Sequence, residues 1–160
     1  MKGITTNAQV ERSVGSEVVF TTLDSANIPA GNAPIGRPSG SGFGYSYESW
    51  LFLKVETPPD TGVNNFRFWS GGSDPDTGIY MYVGTAYASS TPSFSESTIA
   101  TTNAIEYSAP DDSLLFCNNT LTGVNNRTTF LVMQLRVDSS ATLGTLYNDN
   151  CVYHYSYDEW

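Results

Sequence analysis

Apolar residues alternate with polar ones along much of the chain, and that two-residue period predicts strands. Tyr47 to Glu56 places Leu51, Leu53 and Val55 on one side, with Trp50, Phe52, Lys54 and Glu56 on the other. Asn65 to Ser70 sets Phe66 and Phe68 against Arg67 and Trp69. Gly78 to Ala86 sets Ile79, Met81 and Val83 against Tyr80 and Tyr82. Thr128 to Val137 turns Leu131, Met133, Leu135 and Val137 inward, and Gln134 and Arg136 outward. In Cys151 to Tyr157, three tyrosines (153, 155, 157) alternate with Val152, His154 and Ser156. Glu17 to Leu23, Ser97 to Thr102 and Leu114 to Cys117 are shorter candidates.

Pro, Gly, Asn and Asp separate these runs, and no segment carries a 3.6-residue stripe with helix caps. About eight strands with such turns predict an all-β fold, a two-sheet antiparallel β-sandwich of jelly-roll or immunoglobulin-like topology. Residues 1–16 read as an extended N-terminal arm or edge strand, and 17–160 as a single domain. Within it, residues 29–44 hold Gly and Pro too densely for regular structure. That loop is either a linker or a segment that orders against a partner. Thr61-Gly62-Val63-Asn64-Asn65 recurs as Thr122-Gly123-Val124-Asn125-Asn126, which reads as two similar turns rather than two related halves.

Composition agrees with strands. Of 160 residues, 39% are hydrophobic and 13% aromatic, a mix suited to pleated, half-buried surfaces. The net charge of −9 repels phosphate backbones and anionic membranes, so neither nucleic acid nor membrane is an expected partner. No apolar run reaches membrane-spanning length, and Met1 to Thr6 has no signal-peptide core, which predicts synthesis in a cytoplasm.

Catalytic chemistry is thin. His154 is the one histidine, and no serine sits in a nucleophile-elbow context; Gly40-Ser41-Gly42 lacks the spacing. Cys117 and Cys151 read as buried thiols in preference to a bridge, and zinc spacing is missing. Asp74 and Asp76 flank Pro75 in a turn that departs from calcium-loop patterns. Asp111-Asp112 and Asp158-Glu159 read as solvated charge. Asn118-Asn119-Thr120 and Asn126-Arg127-Thr128 match the glycosylation sequon by chance. No catalytic, cofactor or metal residue is therefore assigned.

The exposed candidates are aromatic: Trp50, Trp69, Tyr80, Tyr82, Tyr153, Tyr155 and Tyr157 fit a second core face or cross-strand aromatic pairing, a protein contact or a sugar-stacking surface.

Five stretches carry a family likeness. They are Tyr45 to Val55, Val63 to Ser70, Thr77 to Ala86, Ser97 to Thr102 and the closing Tyr155-Ser156-Tyr157-Asp158-Glu159. In that order they resemble small structural proteins of tailed bacteriophages, namely capsid decoration (cement) or minor virion proteins with a β-sandwich fold. The resemblance implies a non-enzymatic protein on the virion surface, made in the host cytoplasm. It would bind the major capsid protein as a homo-oligomer, trimer or dimer, and stabilise the shell. Position and composition, not the resemblance, place the expected contacts on the N-terminal arm and the loop from Ile35 to Phe43, both of which lie outside the stretches that carry it. The alternative is a carbohydrate- or receptor-binding module of a phage tail or fibre.

Overall fold

The computed structural model describes residues 2–7, 10–13, 20–23, 34–71, 76–142 and 153–160. Among these residues ten strands run in chain order: β1 (Lys2–Asn7), β2 (Val10–Ser13), β3 (Gly44–Tyr45), β4 (Ser49–Lys54), β5 (Val63–Ser70), β6 (Ile79–Ala86), β7 (Thr102–Asn103), β8 (Leu114–Cys117), β9 (Phe130–Val137) and β10 (Tyr153–Glu159). All pairings are antiparallel. The larger sheet has the order β2-β1-β4-β9-β6-β7, with β3 also on β9. The smaller has the order β10-β5-β8. The two sheets pack against each other as the β-sandwich expected from the alternation.

The main core lies between the sheets. Leu53, Val55, Ile79, Met81, Val83, Leu131, Met133, Leu135 and Val137 come from the larger sheet's side. Val63, Phe66, Phe68, Phe116, Cys117 and Leu121 come from the smaller, with Tyr153 and Tyr157 packed on the edge. Phe66 and Phe68, Ile79, Met81 and Val83, and Leu131, Met133, Leu135 and Val137 follow the predicted period of two, whereas Phe116 and Cys117 are consecutive core residues.

A second cluster lies on the larger sheet's outer face: Trp50, Phe52, Ala100, Phe130 and Val132, with Tyr82, Ala86 and Ile99 packed on it. The connection from β6 to β7 folds back over this face. At Gly84 the cover is so close that a Cβ would collide with the main-chain carbonyl of Ile99. Trp50, a candidate for the outward surface, is therefore only 1% exposed. Gln134 and Arg136, expected to face solvent, are buried as well, and every residue of β9 is buried. A central strand covered on both faces reads as a continuous apolar run, which β9 does except at these two positions.

β3 and β4 form one interrupted strand along β9. Tyr45 pairs with Arg136 and Ser49 with Met133, so four steps on one side span three on the other. Ser46 fills the gap. Its N–H donates to Leu135 O at 3.0 Å, and its hydroxyl accepts from Leu135 N at 3.0 Å. The freed main chain bonds elsewhere: Tyr47 N–H to Thr21 O and Glu48 N–H to Ser93 O.

Some elements differ from expectation. Phe20 to Leu23 is not strand, and Glu17 to Val19 lie outside the described residues. Of Ser97 to Thr102, only Thr102 enters a strand. The rest is cover, held by the Ser97 hydroxyl, which accepts from Ile99 N and Ala100 N. The one helical turn among the described residues is a 3-10 turn, Ala104–Glu106, with Asn103 Oδ1 accepting from Ile105 N. Lys2–Asn7 and Val10–Ser13 form a hairpin whose first strand pairs with β4. No helix among the described residues is long and apolar enough to cross a membrane.

Candidate functional site

Three polar side chains hold the cover on the larger sheet. Gln134 is fully buried. Its amide donates to Ser46 O at 3.1 Å and Ser95 O at 2.7 Å, and its oxygen accepts from Ser97 N at 3.0 Å. Arg136 donates to Ala100 O at 2.9 Å and to Glu96 at 2.7 Å. Glu48 Oε2 accepts from the Trp50 indole N–H at 3.2 Å and from Ser93 N at 3.0 Å. Gln134 and Glu48 carry the hydrogen bonds that a buried polar group requires, and Arg136 bonds through its two terminal nitrogens while its buried Nε makes no hydrogen bond to the described residues. Their chemistry is spent on main-chain groups of residues 93–100 and on Trp50 and Ser46.

Aromatic rings continue across this face. The Arg136 guanidinium lies 3.7 Å from the Tyr82 ring centroid and 5.7 Å from that of Tyr45. Phe43 meets Tyr80 edge-on at 5.8 Å, and Phe94 stacks on Tyr47 at 5.0 Å. Arg127 lies over Phe52 and Phe130 at 5.3 and 5.7 Å. The second-core-face reading holds at Tyr82, which packs on the outer cluster, whereas Tyr80 packs against the partly exposed Phe43 and donates its hydroxyl to Asp138 at 3.0 Å.

The loop expected to meet a partner is tied to its own chain. Ile35 is a core residue, which corrects its assignment as a contact. Arg37 donates to Ala141 O at 3.0 Å. Gly44 returns so near Gly36 that a Cβ would collide with the Gly36 carbonyl. Residues 36–44 therefore form a closed loop with a narrow neck, exposing Ser39 to Phe43 at its tip. Residues 29–33 lie outside the described residues.

His154 projects from the outer face of the smaller sheet, stacked on its cross-strand neighbour Trp69 at 5.3 Å and 13°. A stacked pair on a sheet face is packing geometry, and among the described residues no nucleophile is hydrogen-bonded to His154. Asp74 and Cys151 lie outside the described residues; Asp76 is exposed, and its carbonyl accepts from Ile79 N at 2.9 Å. Cys117 is a buried free thiol in the core. No group of three metal-ligating side chains occurs among the described residues. Asp112 closes a turn onto Ala109, and Asp158 accepts from Asn65 at 2.6 Å. Asn126 Oδ1 accepts from Thr122 N and Gly123 N, so this sequon amide is a turn element.

The repeated pentapeptides lie side by side: Val63 and Leu121, at the two copies, exchange main-chain hydrogen bonds of 3.1 and 2.8 Å. Their conformations differ, with positive φ at Asn65, the fifth residue of one copy, and at Asn125, the fourth of the other. This departs from the expectation of two similar turns: the first copy runs into β5 from Val63, and only the second is a turn.

Outward, the chain offers large apolar side chains scattered over its surface. Tyr87 is 91% exposed, while Leu23, Phe94, Val124, Tyr155 and Trp160 are about half exposed. Leu115 stands at the rim of a shallow recess of about 220 Å³ between the end of β6 and β8. The sequence did not single out Tyr87 or this recess. The four residues after Tyr87, Ala88-Ser89-Ser90-Thr91, gave no periodic signal.

No family model matches the chain, and neither a curated protein nor a solved structure matches it.

Proposed function

We propose that this chain is a non-catalytic structural protein of a virion, a decoration or cement protein that binds the outside of a tailed-phage capsid as an oligomer and stabilises the shell. One observation carries the reading. The buried polar groups of the larger sheet hold the fold's own cover, while aromatic and apolar side chains stand in solvent. Tyr, Trp and Phe are the residues that interface cores use. Tyr87, Phe94, Tyr155 and Trp160 are available for that purpose.

Charge supports the same reading. A net charge of −9 suits a protein surface as partner and disfavours nucleic acid. Many symmetry-related copies on one lattice would add stability through mass action and avidity, even if each contact is weak. The test is shell heat stability. Bare tailed-phage shells melted with and without the protein should lose integrity at a higher temperature when it is present. An unchanged melting temperature at saturating protein contradicts the proposal.

A further inference from the structure

The recess between β6 and β8 has a composition that selects a ligand class. Tyr87 rises at its rim, 91% exposed, where the fold gains nothing from its ring. Leu115, 41% exposed, stands across from it on β8. Asn118 and Asn119 bring two exposed side-chain amides, and Thr85 an exposed hydroxyl. No lining residue is charged.

We propose that this recess binds one ring of a neutral sugar. A sugar ring presents an apolar C–H face and a rim of hydroxyls. The Tyr87 ring can stack on the former, and amides that both donate and accept can meet the latter. The recess is smaller than the roughly 300–1,000 Å³ of drug-sized pockets, which suits a single ring at the end or branch of a glycan.

Other ligand classes fit less well. A phosphorylated ligand would find no cation here and a chain of net charge −9. A purely apolar ligand would cover the amides without pairing them. An added peptide strand needs the outward carbonyl of Phe116, and the Thr129 hydroxyl already donates to it. The inference does not depend on the capsid reading, because a sugar site serves a virion protein or any other binding module alike.

The test is an NMR titration of the full, isotopically labelled chain with the methyl glycosides of glucose, galactose and N-acetylglucosamine. At least one should give saturable shifts centred on residues 85–87 and 115–119. Tyr87→Ala should weaken that binding at least tenfold, Tyr87→Phe should retain it, and Tyr155→Ala, outside the lining of the recess, should leave it unchanged. The side chain of Tyr87 stands in solvent, so these variants keep the fold. No saturable shift with any of the three sugars overturns the proposal, as do shifts elsewhere or shifts that survive Tyr87→Ala.

Discussion

The guanidinium of Arg136 lies 3.7 Å from the centroid of the Tyr82 ring, buried beneath the segment that covers the larger sheet. The same group donates to Ala100 O and pairs with Glu96. One side chain therefore joins β9, β6 and the cover.

The two sides of the Arg136–Glu96 ion pair are unequally exposed. The Arg136 side chain is 5% exposed and that of Glu96 65%. An ion pair open to solvent on one side contributes little, whereas a cation over a ring and a buried hydrogen bond contribute more. Arg136→Ala should cost about 2 kcal/mol in urea unfolding. Glu96→Gln should cost less than about 1 kcal/mol. Equal losses would mean that the ion pair, rather than the ring and Ala100, holds the cover.

Gly84 is the point of closest approach between sheet and cover. A Cβ there meets the Ile99 carbonyl, which is main chain and cannot rotate away. Gly84→Ala should destabilise the protein by about 1–3 kcal/mol, the usual cost of overpacking. Limited proteolysis should then cut within residues 87–99 sooner than in the parent chain. Unchanged stability and cleavage would show that the cover shifts without penalty.

Acid should loosen the turn after β9. The Ser140 hydroxyl and N–H, and then the Tyr80 hydroxyl, hold the Asp138 carboxyl below its usual value of 3.8. A carboxyl with a depressed folded pKa stabilises the fold above its unfolded pKa of about 3.9 and loses that contribution as pH falls through the folded value. Asp138→Ala should therefore lower the urea midpoint at neutral pH. The gap from the parent should close as pH drops below about 4. A gap that widens in acid contradicts this account.

Much of the fold was legible because β5, β6 and β9 each turn a face of alternating apolar residues to the core. Phe66 and Phe68, Ile79 to Val83 and Leu131 to Val137 all face the core as the alternation predicts. The cover was not legible. Residues 87–101 are rich in Ser and Thr, residues 87–96 show no period, and the strand reading of Ser97 to Thr102 gave no hint that the segment lies across a sheet as cover. Gln134 and Arg136 looked like solvent-facing positions because polarity alone cannot tell water from a buried network of carbonyls. Trp50 and Phe52 held the clue, since two large apolar residues on the supposed outer face of β4 ask for a partner. Ile35 stood in a stretch read wholly as loop, and one apolar side chain among glycines and prolines does not reveal that it anchors to the core.

Co-sedimentation with assembled tailed-phage shells that lack this protein addresses the central claim most directly. The account predicts saturable binding at a fixed ratio to the major shell protein, weakened when Phe94, Tyr155 and Trp160, exposed apolar residues outside the sugar recess, are replaced by Ser. Protein that stays in the supernatant at every concentration would contradict it.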